Sequence, residues 1–99
     1  MVFKILRIRE VLDKRGNRSR SSHYSDIQRG LFTPPVSIGS RAVGWPDYEV
    51  DTINAAKIAG VSDSEVRALV SELVANRKQL LSSFYRNVTT VVSAKDRGE

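Results

Sequence analysis

The run Arg18-Ser19-Arg20-Ser21-Ser22-His23-Tyr24 gathers guanidinium, hydroxyl, imidazole and phenol groups where a helix should begin. A guanidinium can pair with both acceptors on the major-groove edge of guanine, and a serine hydroxyl reaches base edges or phosphate. The free amides of a first helical turn also attract phosphate. This set suits recognition of nucleic acid rather than bond-making. With 1 His and 0 Cys, a multi-histidine or thiolate metal site is excluded. The carboxylates show no spacing that assembles a nucleophile, a metal site or a phosphate cradle. The expectation is a chain with no enzymatic activity, no metal and no cofactor.

The elements that would position these groups follow from caps and periodicity. Ile8 to Arg15 is a short helix with Val11 and Leu12 on its inner side, stopped by Gly16-Asn17. Ser19 is a good N-cap for a second helix, which runs to about Arg29 and stops at Gly30. Tyr24, Ile27 and Leu31 form its narrow inward stripe, leaving Arg20, Ser21, Ser25 and Gln28 facing outward. Pro34-Pro35 forbids continuation, after which Val36-Ser37-Ile38 and Ala42-Val43-Gly44-Trp45 flank Gly39-Ser40-Arg41 as a β-hairpin. Trp45 is expected in the core. Pro46 suits a first helical position, and Asp47 and Glu49 favour a helix start whose apolar face carries Val50 and Ile53 through about Ala59.

Ser62-Asp63-Ser64-Glu65 is a capping-box pattern, followed at helical spacing by Val66, Leu69, Val70, Leu73, Val74, Leu80 and Leu81, with Arg77 interrupting the stripe. The β-branched run Val88-Thr89-Thr90-Val91-Val92 predicts a short strand, and Ala94 onward a frayed tail. The fold class is therefore mainly α with a small β-hairpin: a winged helix-turn-helix over 3–60, an amphipathic helix over 61–84, and a strand and flexible tail over 85–99.

Charge supports the same partner. The chain of 99 residues, 40% hydrophobic, has room for one small core plus an appended element, and its net charge is +5. Lys4, Arg7, Arg9, Lys14, Arg15, Arg18, Arg20, Arg29 and Arg41 against Glu10, Asp13 and Asp26 put the whole excess in the first 45 residues. That is where phosphate must be neutralised if the second helix reads DNA. The N-terminus is charged too early for a signal peptide, and no apolar run reaches the roughly 20 residues of a membrane span. A cytoplasmic protein is expected.

The order of three segments resembles the AlpA-type prophage regulatory proteins, relatives of the phage excisionases and of MerR-like winged domains. The resemblance covers about Phe3 to Gly60. It rests on Ile5-Leu6-Arg7-Ile8-Arg9-Glu10-Val11, on Ser19 to Tyr24 with Ile27 and Arg29-Gly30, and on Gly39 to Trp45 leading to Glu49-Val50. It implies a winged helix-turn-helix that binds DNA near prophage or integrative-element genes and regulates integrase or excision functions. Asn17, Arg18 and His23 depart from the family pattern, so no target sequence carries over.

Together these readings name Arg18, Ser19, Arg20, Ser21, Ser22, His23, Gln28 and Arg41 as DNA-binding candidates. Arg20 leads, Arg41 is a wing contact, and His23 is divided between DNA contact and packing. Val66, Leu69, Val70, Leu73 and Leu80 are candidates for self-association into a homodimer. The expected function is a sequence-specific transcriptional regulator, with contact to a recombinase or RNA polymerase. Two alternatives stand beside it: an excisionase-like factor that bends DNA, and a protein-interaction adaptor that uses the helix after Gly60.

Overall fold

Gly16 and Asn17 both take left-handed backbone angles, φ 79° and 59°, and the tight turn they make joins α1 (Ile8–Lys14) to α2 (Arg20–Gln28). Asn tolerates this region better than other side chains, because its amide can bond locally. Ser19 then caps α2: its backbone is extended and its Oγ accepts the Ser22 amide at 3.1 Å. These features belong to a computed structural model that describes the backbone of residues 3–96 and the side chains of residues 3–84.

Three short strands form one antiparallel sheet in the order β1-β3-β2: β1 (Ile5–Leu6), β2 (Val36–Ser37) and β3 (Val43–Pro46). The expected hairpin is β2 and β3, with Val36 opposite Gly44 and the turn closed by Ile38 N donating to Ala42 O at 2.9 Å. β1 is an addition to the expected fold, pairing Leu6 with Trp45. It can lie there because position 44 is glycine: a Cβ would stand 2.5 Å from Ile5 Cγ2 and 2.8 Å from the Leu6 carbonyl.

The chain passes from β3 directly into α3 (Asp47–Ala59), with Pro46 as its N-cap. Then α4 (Asp63–Asp96) begins at the capping box, where Glu65 N donates to Ser62 Oγ and Ser62 N to Glu65 Oε1, each at 3.2 Å. The helix continues through Val88 to Val92 and on to Asp96, where a strand and a frayed end were expected. The helical penalty of a β-branched residue is only about half a kcal/mol, and an established helix propagates more easily than a new element nucleates. The expectation for 97–99 lies outside the described residues.

The core crosses the expected boundary at Gly60. Leu6, Val11, Leu31, Phe32, Trp45, Val50 and Ile53 form one buried cluster with Val66, Val70 and Leu73 of α4. The first turns of α4 thus share the core of residues 3–60. Trp45 is fully buried as expected, and its indole Nε1 donates to Thr33 O at 2.8 Å. Tyr24, expected inside, is 37% exposed, and the inner side of α2 is made by polar residues instead.

Candidate nucleic-acid interface

α2 has two faces with different tasks. Its inner face presents His23 and Asp26, both buried, with Ile27 packed beside them. Arg15, at the end of α1, donates through Nη1 to His23 Nδ1 and through Nη2 to Asp26 Oδ2, each at 2.8 Å. Arg18, from the turn, donates through Nε to the same Asp26 oxygen at 2.7 Å. Arg15 also lies over the Phe32 ring, 4.2 Å from its centroid. The network adds to the apolar contact that Ile27 makes with the core, and it ties α2 to the turn.

The protonation states follow from geometry. An arginine is only a donor, so His23 Nδ1 must accept and the ring carries its proton on Nε2. That Nε2 is buried without a partner among the described residues, and the ring packs edge-on against Phe32 and Trp45. Burial, reinforced by the Arg15 charge, pushes the His23 pKa down to about 4. Burial alone would raise Asp26, but the hydrogen bonds from Arg18 and Arg15 outweigh it and hold the carboxyl below its ordinary range. Loss of solvent lowers the Arg15 pKa, and the bond to Asp26 opposes that shift.

The outer face is free. Arg20, Ser21, Ser25 and Gln28 are exposed, and Tyr24 joins them. Positions 21, 25 and 28 repeat at the helical period, so Ser21, Ser25 and Gln28 line one side, while Arg20 is exposed in the first turn on the flank that carries Tyr24. Ser22 is half-buried, and Ser19 is exposed but gives its Oγ to the cap. Arg41 is exposed in the turn between β2 and β3.

Two candidates change standing. His23 offers no surface to a groove, because its whole side chain is enclosed beneath α2. Arg18 is split: Nε is committed to Asp26, while the side chain remains 39% exposed. With Arg9 and Arg20 it lines a groove between α1 and the start of α2, shared with Leu12, Asn17 and the carboxylates of Glu10 and Asp13. Sequence reasoning left Tyr24, Ser25 and Arg9 out of the candidate set. For Ser25 the helical period already gave an outward position, whereas Tyr24, beside Ile27, carried no such signal.

The self-association candidates are mostly spent within the monomer. Val66, Val70 and Leu73 are core residues, Leu69 packs against that core, and Leu80 is half-buried beside Phe3 and Tyr48. Among the described residues farther along α4, Val74, Leu81 and Phe84 are exposed and apolar. α4 also contacts α2: Arg67 Nε donates to Arg29 O at 2.9 Å, at the C-terminal end of that helix.

Among the described residues no group of three or more His, Cys, Asp and Glu could hold a metal ion, and no helix is long and apolar enough to cross a membrane.

Comparison with known proteins places this arrangement. The family described as "Prophage CP4-57 regulatory protein (AlpA)" matches residues 4–58, which take in β1, α1, α2, the hairpin and nearly all of α3. A protein of Enterobacteria phage P4 described as "Uncharacterized protein ORF88" is 42% identical over 57 residues, covering 58% of this chain and 64% of that relative. No solved structure matches the chain. The three segments on which the resemblance rested all fall within the matched span, and the chain belongs to the AlpA family of prophage regulatory proteins.

Proposed function

We propose that this regulator binds duplex DNA in a sequence-specific way, laying the outer face of α2 in the major groove and the hairpin tip on the adjacent backbone or minor groove. The division of α2 into a locked inner face and a free polar outer face carries this reading. Buried polar groups are costly unless satisfied, and the bonds from Arg15 and Arg18 to Asp26 and from Arg15 to His23 Nδ1, with Ile27 packed beside them, commit the inner face to the interior. The outer side can then present Arg20, Ser21, Ser25 and Gln28 from a fixed frame. Arg20 has the fork that matches guanine, Gln28 can pair with adenine, and the serines serve phosphate or base edges. Arg9 and Arg18 supply cationic contact to the flanking backbone. Transcriptional control of prophage or integrative-element genes is the role this binding would serve, without catalysis.

The test is titration of labelled duplex, selected from a random pool by the unmodified chain, with Arg20→Ala and Gln28→Ala. Each should weaken binding about tenfold or more, the equivalent of roughly 1–3 kcal/mol per base contact, with the thermal unfolding midpoint unchanged. Normal affinity in both variants would remove α2 from the interface.

A further inference from the structure

The most committed side chain in α4 is Arg77, which the sequence shows only as a break in an apolar stripe. Its Nε donates to Glu49 Oε2 and its Nη2 to Glu49 Oε1, both at 2.7 Å, and the same Nη2 donates to Pro34 O at 2.8 Å. Glu49 is fully buried, while the Arg77 side chain keeps 21% exposure. Glu49 lies in the first turn of α3, which follows β3 without a loop. Pro34 stands two residues before β2. One guanidinium therefore holds the chain on both sides of the hairpin.

The grip on the β2 side is stiff. The preceding carbonyl, Thr33 O, is bound by the Trp45 indole, and the rings of Pro34 and Pro35 restrict the torsions that lead into Val36. β2 has only β3 as a strand neighbour, so its root is where its direction is set. From Val36 to the tip is about four residues, or ~13 Å at ~3.3 Å each. A ~15° rotation at the root would move the tip by ~3 Å, far outside the few tenths of an ångström that a hydrogen bond tolerates.

We infer that Arg77 is a positioning residue for the wing: through Pro34 and Glu49 it sets where Arg41 meets DNA, and so makes α4 part of the reading apparatus. This rests on the DNA-binding role proposed above. Arg77→Lys separates positioning from neutralisation of a buried charge, because an ammonium keeps the charge beside Glu49 but lacks the planar fork that spans both carboxylate oxygens and the carbonyl.

The chain has no cysteine, so spin labels can be placed at Ser40→Cys on the hairpin turn and Ser64→Cys at the start of α4. In the free protein, Arg77→Lys should shift or broaden the label distance by about 3 Å, the displacement worked out above. A Val11→Ala control, which loosens the core at α1, should leave the distance unchanged. With the selected duplex, Arg41→Ala should cost about tenfold in the native background and less than about twofold beside Arg77→Lys, while the Arg20→Ala loss persists in both. An unaltered label distance, or a full Arg41→Ala loss beside Arg77→Lys, overturns the inference. So does an Arg41→Ala variant that binds normally while Arg20→Ala does not. Normal binding by both single variants would instead overturn the DNA-binding role, and this inference with it. If Arg77→Lys does not fold, Glu49→Gln combined with Arg77→Gln removes the buried charges and takes the same two measurements.

Discussion

Lowering the pH should destabilise this protein through His23, the one imidazole in the chain. The chain has 1 His, it is fully buried, and its pKa in the fold is lowered from 6.5 to about 4 by burial and then by Arg15. In the unfolded chain the ring returns to about 6.5. The stabilisation from a neutral His23 is thus fully present above pH 6.5 and is lost as pH falls from 6.5 towards 4. Between these values the unfolded state binds the extra proton. Linkage with these two pKa values gives a loss of about 2 kcal/mol between pH 7.5 and pH 5, and about 3 kcal/mol at the acid limit. Asp26 stays ionised across this window, because its own pKa is lowered. Urea unfolding followed by the emission of Trp45, the single tryptophan and a core residue, reports the change directly. For a slope of about 1–2 kcal/mol per molar urea, the midpoint should fall by about 1–2 M. His23→Gln should flatten the dependence. A midpoint that holds steady or rises between pH 7.5 and pH 5 would refute the claim that α2 is seated on a buried neutral imidazole.

Other variants test the rest of the frame. Asp26→Ala leaves the Arg15 guanidinium, 5% exposed, without its carboxylate, and should cost about 3–5 kcal/mol in thermal or urea unfolding. Ser19→Ala removes the hydroxyl that accepts the Ser22 amide and should cost about 1 kcal/mol by the same assay. Ending the chain after Gly60 strips Val66, Val70 and Leu73 from the core, each contributing about 1.5–3 kcal/mol, against a total stability of only about 5–15 kcal/mol for a small domain. That fragment should show no cooperative unfolding and no near-ultraviolet signal from Trp45; a cooperatively folded fragment would contradict the shared core.

Elements set by local rules were legible in the sequence. Gly16-Asn17, Ser19, Pro34-Pro35 and the Ser62 to Glu65 box act within a few residues of themselves, and each punctuates the fold where its chemistry says it should. The outward placement of Ser21, Ser25 and Gln28 was legible too, since it depends only on the period of a helix, and Arg20 is exposed as the first residue of α2. What escaped depends on distant partners. β1 is two residues long, too short for any alternation, and exists because Gly44 lets Ile5 approach. His23 and Asp26 are polar, and nothing near them in sequence says that Arg15 and Arg18 will close over them. Tyr24, an aromatic beside that face, was placed inside by the same reasoning. The stripe from Val66 to Leu73 was recognised as a buried face, but periodicity does not identify the surface that buries it. Here Val66, Val70 and Leu73 lie in one core cluster with residues from β1 to α3.

The central claim, that the free face of α2 reads base sequence, is tested most directly by selecting bound duplexes from a random pool with the unmodified chain and with Arg20→Ala, at several salt concentrations. The account predicts a defined preferred sequence for the unmodified chain. Arg20→Ala should relax that preference at one base position, while the salt dependence that reports phosphate contacts mostly persists. A preference that Arg20→Ala leaves intact at every position, or salt-sensitive binding with no preference at all, would contradict it.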